Sequence, residues 1–311
     1  PILALALPQS WKNAFEAAYV RLQQPGLKRL LTTYFGALED NTALACRLPV
    51  DGLHIDMVRG PEQLTAVLDQ LPSYKILSLG VVDGRNIWRS DFAKVLAVLE
   101  QAKTRLGDRL WVASSCSLLH SPVDLAVETG LDEDIKSWLA FATQKVDEIV
   151  VLKRALSAEH GMDLSEGHAA VNTELNSNLK AHQARRASPR IHHAAVKERV
   201  AQVTNDLAER HHAYPVRRIA QQQRLNLPLF PTTTIGSFPQ TAQIRAARRD
   251  VKAGKISERD YVAAMHGQIS YAVRKQEELD LDVLVNGEAD RNDMVEYFGE
   301  PLQGVAFTQN G

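Results

Sequence analysis

The chain has 311 residues, enough for one large or two ordinary domains. Its net charge of −1 gives no global basic field, so neither nucleic acid nor an anionic membrane surface is an expected partner. No apolar run approaches the length of a membrane span, and two cysteines, Cys46 and Cys116, build no disulfide framework and suit a reducing, cytoplasmic compartment.

The opening stretch PILALALPQSWKN has a short apolar run without a cationic leader, so it does not read as a signal peptide. No initiator Met precedes it, and the chain is expected to be an internal stretch of a longer polypeptide. Strand and helix then alternate. The runs 27–35, 50–58, 75–84 and 109–119 are apolar and partly β-branched, as strands covered on both faces are. Pro61 suits the first turn of a helix carrying Leu64, Val67, Leu68 and Leu71 at helical spacing. Phe92, Val95, Leu96 and Leu99 mark another. Leu131 to Leu156 reads as one long helix with acidic residues in its first turn and Trp138, Leu139, Ala142, Val146 and Ile149 on one face. Four consecutive βα units imply a parallel sheet, either doubly wound or half of a (β/α)8 barrel.

From about Ala158 to Leu229 no strand is expected. Gly161 to Asn178 is polar without clear periodicity, and 182–193 is basic and loop-like. Val196, Val200, Val203 and Leu207 mark one helix face, and Val216 to Leu225 suits another helix. The pairs His192–His193 and His211–His212 are expected to be solvent-exposed. At Pro231 the βα grammar restarts: a strand at 232–238, a basic helix from Thr241 to Arg249, and a Ser257–Asp260 capping pattern. The helix it opens runs to about Leu279 with Val262, Met265, Ile269 and Val273 inward, and 281–288 is the next strand. Two strands cannot make a stable sheet alone. TTYFG at 32–36 and TTIGSF at 233–238 form a weak internal echo.

The candidate chemistry lies at these last strand ends. Gly236 lacks a Cβ, so a ligand can approach its backbone, and consecutive N–H groups with the Ser237 hydroxyl suit a carboxylate. A plain tight turn is the alternative for Ile235, Gly236 and Ser237. Glu288, just past the second strand, suits an ammonium, or else a surface salt bridge. Together the two form a plausible amino-acid clamp. Arg245, Arg248 and Arg249 read as a solvated helix face. His54 and Asp56 alternate on one strand and are expected to face inward as a polar pair. Cys116 and His120 fall short of the three or four ligands that zinc needs, and Cys116 reads as a small buried residue.

FPTTTIGSFPQT, VNGEADRNDMVEYFGE and FTQNG resemble the opening of the C-terminal barrel of cobalamin-independent methionine synthases. LLTTYFG, GLHIDMVRG, DGRNIWRSD and LWVASSCSLLHSPVDL resemble the second half of the N-terminal barrel of that family. The resemblance covers essentially the whole chain. It implies an α/β protein of the (β/α)8 TIM-barrel class: residues 1–158 the second half of an N-terminal barrel, 159–229 a helical connector, 230–311 the first βα units of a catalytic C-terminal barrel. It implies methyl transfer from 5-methyltetrahydropteroyl-polyglutamate to homocysteine, giving methionine, by an enzyme that is a monomer at full length. It further implies that Ile235, Gly236 and Ser237 hold the homocysteine carboxylate and Glu288 its ammonium. The family's zinc ligands and catalytic His lie later in the C-terminal barrel. The resemblance therefore implies no catalytic or metal residue in this chain, which is expected to be inactive alone. A non-catalytic binding module, or a TIM-barrel enzyme acting on another thiol, are the rival readings.

Overall fold

A computed structural model describes residues 2–158 and 165–308. The expected boundary after Ala158 and the end of FTQNG, from Gln309 to Gly311, fall outside them. Two compact units divide the described residues, the first running to Ile191 and taking in residues 306–308 as well, the second running from His192 to Val305.

The first unit is a four-stranded, all-parallel sheet in the order β1 (Leu30–Thr32), β2 (Gly52–Asp56), β3 (Ile76–Val82), β4 (Leu110–Ser114). Helix α1 (Gln9–Arg21) precedes β1. α2 (Thr42–Arg47), α3 (Leu64–Gln70) and α4 (Phe92–Leu106) connect the strands. Each strand is shorter than its apolar run, because pairing and not hydrophobicity sets its ends. The central strands are apolar on both faces: Leu53, Ile55, Leu77 and Leu79 are fully buried against helix residues such as Val67, Leu99 and Leu152. Register sets His54 beside Ser78 and Asp56 beside Gly80 at the carboxyl end of the sheet. Pro61 opens the helical stretch leading into α3, as expected.

The stretch 131–156 is not one helix. α5 (Glu133–Ser137), capped by Asp132, stops at Trp138, and α6 (Ala142–Ala158) begins only after Phe141. The break has a cause. Residues 138–140 are drawn into backbone pairing with 87–89: Arg89 N donates to Trp138 O at 2.9 Å, and Ala140 N to Ile87 O at 2.9 Å. Leu139 and Phe141 bury in a small cluster with Leu125 and Leu131. Tertiary pairing here overrides helical periodicity.

The polar stretch that lacked periodicity contains a helix, α7 (Ser165–Ala187), which also takes in half of the segment expected to be a basic loop. Its inward face is partly polar. Asn178 accepts from Phe92 N at 3.1 Å and donates to Ser90 O at 2.8 Å, and the Arg185 guanidinium lies 3.6 Å over the Trp88 ring. A face that buries an amide and an arginine gives no apolar stripe to read.

In the second unit, α8 (Ala194–Ala201) is shorter than the expected valine stripe, and Val196, Val200, Val203 and Leu207 are all exposed. His193, His211 and His212 are exposed too. α9 (Tyr214–Leu225) follows. α10 (Ala242–Lys252), capped by Thr241, packs on α11 (Glu258–Glu278), and α12 (Met294–Gly299) comes last. The Ser257 cap is present: its hydroxyl accepts from Asp260 N at 3.1 Å. Met265 is buried and Ile269 half-buried, but Val262 is exposed. Val273 is half-buried as expected, and Ala272 and Gln276 join the buried face. The strands expected at 232–238 and 281–288 do not form ladders. Two isolated parallel bridges, Thr233 with Val283 and Ser237 with Gly287, are all that joins them as sheet. Positive φ at Gly236, Gly287 and Glu288 interrupts both extended runs, and no third strand supports the pair among the described residues. No described helix is long and apolar enough to cross a membrane.

Candidate amino-acid-binding site

The bridge between Ser237 and Gly287, reinforced by Phe238 N donating to Gly287 O at 2.9 Å, brings the two candidate motifs side by side. Gly236 has φ +122° and faces the Glu288 carboxylate so closely that a Cβ there would stand 3.2 Å from Oε1. Only glycine combines that backbone with that approach. Gly287, at φ +77°, lies where a Cβ would come within 3.1 Å of the Ala272 Cβ on α11. This contact sets the segment tightly on its helix. Glu288 is itself left-handed, at φ +58°, with its N–H donating to Asn286 Oδ1 at 3.0 Å.

Of the four expected residues, Gly236, Ser237 and Glu288 are brought together. Ile235 is 97% exposed. The Glu288 carboxylate already has a protein partner, the Arg291 guanidinium three residues on. That bond holds Arg291 even further above the ordinary arginine range. Gln240 spans the turn from below, donating to Glu288 O at 3.2 Å and Arg291 O at 3.3 Å. Arg248, expected on a solvated face, is half-buried and donates to Ala289 O at 3.1 Å, while Arg245 and Arg249 are exposed. Arg291 and Gln240 went unassigned in the sequence, and Arg248 was assigned to the solvated face. Arg291 alone carried a local signal, its spacing of three from Glu288.

In the first unit the polar strand ends are also in place. His54 and Asp56 are buried, and Asp56 accepts from the Phe35, Val58 and Arg59 N–H groups at 2.9 Å each. Those bonds are structural: they order the β1 and β2 ends.

Residues 1–107 match the family model described as the N-terminal domain of cobalamin-independent synthase, and residues 230–311 match the one described as its catalytic domain. The chain belongs to the cobalamin-independent methionine synthase family. That places it with the methyltransferases of methionine biosynthesis.

The family implies zinc, and the described residues do not fit it. None of them forms a group of three or more His, Cys, Asp or Glu side chains that could hold a metal ion. Burial raises the pKa of both thiols, Cys46 and Cys116, which disfavours the thiolate a metal needs. The His120 ring packs edge-on to Phe35 at 5.5 Å.

Proposed function

We propose that this chain supplies the amino-acid clamp of an enzyme that moves a methyl group from 5-methyltetrahydropteroyl-polyglutamate to homocysteine, giving methionine. On this reading Glu288 takes the homocysteine ammonium. The N–H groups around Gly236, with the Ser237 hydroxyl, take the carboxylate, and Ile235 contributes backbone only. The observation that carries it is the pairing of Ser237 with Gly287, which sets the Gly236 turn beside the Glu288 carboxylate in a segment matching the catalytic domain. The sheet of the first unit belongs on this reading to a (β/α)8 barrel, with 159–229 a connector and the C-terminal barrel opening at 230. The zinc would be held by residues beyond these 311, and the chain by itself would transfer no methyl group. The two free, buried cysteines support a cytoplasmic location.

Calorimetric titration with homocysteine tests the clamp. Glu288→Gln removes the charge partner of the ammonium and should weaken binding by about tenfold or more, the worth of one charge-assisted hydrogen bond. Equal affinity in the two proteins would remove Glu288 from the site.

A further inference from the structure

We propose that the second unit carries an oligophosphate site on α10, in which Arg245, Arg248, Arg249 and Lys252 hold the linked phosphates of one chain and read nothing beyond them. This goes beyond the amino-acid site and does not depend on it.

The four cations stand on one stripe of α10, beside the face that buries Ile244. With Ala253 and Asn292 they line an open pocket of about 540 Å³, and no carboxylate lines it among the described residues. Helix formation does not explain the stripe. Arg249 and Lys252 suit the last turn, but Arg245 stands in the first turn, where the helix dipole disfavours a cation and no acidic residue accompanies it. Arg245 with Arg249, and Arg248 with Lys252, are like-charge pairs one turn apart and oppose each other. Ion pairing does not explain it either. Asp250 meets Arg249 at 3.3 Å, and shares that carboxylate with Lys255 at 3.9 Å. The side chains of Arg245 and Lys252 make no ion pair or hydrogen bond among the described residues. Arg248 is fixed in place, half-buried, by Nη2 donating to Ala289 O at 3.1 Å. Like charges gathered around one pocket are stabilised by an anion that binds them together.

The geometry selects the anion. From Arg245 to Lys252 the helix rises about 10 Å, so the charges form a row rather than a point. A lone phosphate or a compact carboxylate meets one or two of them at a time. A chain of linked phosphates can meet all four, and each guanidinium offers a phosphate a two-pronged fit. The remaining lining, Ala253 and Asn292, has no ring on which a base could stack. The phosphate chain is therefore recognised alike whether it is free or carried by a nucleoside.

The test is calorimetry on the 311-residue chain at fixed ionic strength, without divalent metal, using tripolyphosphate, ATP, orthophosphate and citrate as probes. Tripolyphosphate should bind at one site per chain, ATP within about threefold of it, and orthophosphate and citrate at least about tenfold more weakly. Arg245→Gln should weaken tripolyphosphate about tenfold, the worth of one charge-assisted hydrogen bond. Arg245 is exposed and its side chain holds no other part of the fold, so the variant keeps its structure. Arg274→Gln removes the same charge from an exposed position on α11 outside the pocket and should leave the affinity unchanged. No tripolyphosphate binding, equal weakening by the two variants, or citrate bound as tightly as tripolyphosphate would overturn the proposal. ATP bound far more tightly than tripolyphosphate would overturn the claim that the phosphates alone are read.

Discussion

His54 is enclosed at the end of β2, with Nδ1 2.9 Å from Ser78 Oγ and Nε2 3.5 Å from Ser115 O. Desolvation lowers its pKa below the ordinary 6.5, against the raising pull of the Ser115 carbonyl and of Asp56. The sign follows. The unfolded chain takes up a proton near 6.5, while the folded chain must reach a lower pH to do so. Stability from His54 is therefore complete above about pH 6.5 and is lost as pH falls through the folded value. Glu148 runs the other way: burial raises its pKa, so its contribution is lost as pH rises through the folded value. All four tryptophans, 11, 88, 111 and 138, lie in the first unit, so their fluorescence reports that unit alone. The urea midpoint by fluorescence should fall between about pH 6.5 and pH 5 more steeply in the wild type than in His54→Gln. Parallel slopes would mean that His54 is not the group titrating.

At the scale of elements, Gln276 explains how 281–288 stays ordered without a sheet. Its amide is 1% exposed, donates to Val285 O at 2.7 Å and accepts from Val285 N at 2.9 Å. One side chain on α11 thus satisfies both backbone groups that a neighbouring strand would otherwise satisfy. Gln276→Ala leaves both unsatisfied and should cost about 1–3 kcal/mol in the second unit. Hydrogen exchange should show Val285 losing protection, while the tryptophan transition of the first unit stays in place. Retained protection at Val285 would refute this role. The same residue shows what the sequence could convey. β2 and β3 were legible because burial on both faces leaves continuous apolar runs. α7 was not, since Asn178 and Arg185 occupy its inner face, and the break at Trp138 depends on residues fifty positions earlier. Gly236 and Glu288 were legible because strand-end glycine and acid are local patterns. Gln240 and Arg248 act on a turn more than forty residues away, and nothing in their own neighbourhood reveals it. The echo between TTYFG and TTIGSF gains physical content: Phe35 and Gly236, each two residues beyond paired threonines, are both left-handed, at φ +77° and +122°. Each lies against a carboxylate from the following segment, Phe35 N donating to Asp56 Oδ2 at 2.9 Å and Gly236 facing Glu288.

Over the whole molecule, the feature with the largest physical consequence is that, among the described residues, the parallel sheet of the first unit is open: β1 and β4 each pair on one side only. Parallel sheets are ordinarily covered on both faces and closed or shielded at their edges, because a free edge presents unpaired N–H and C=O groups to any other chain. β2 and β3 meet this condition. β4 does not: its residues are partly open to solvent, and Trp111 is 49% exposed beside Leu110, Val112, Ile149 and Leu156, which line a groove of about 510 Å³ between β4 and α6. Apolar surface of this kind next to unpaired backbone drives association. The 311-residue chain should therefore self-associate as its concentration rises, measured by light scattering coupled to size-exclusion chromatography. Trp111→Lys places a charge on that edge, as natural edge strands do, and should shift the chain towards monomer without lowering homocysteine affinity, since the residues proposed for the clamp belong to the other unit. If wild type and variant were equally monomeric at all concentrations, the β4 edge would not be adhesive, and the covered core around Leu53, Ile55, Leu77 and Leu79 would be enough to hold the open sheet by itself.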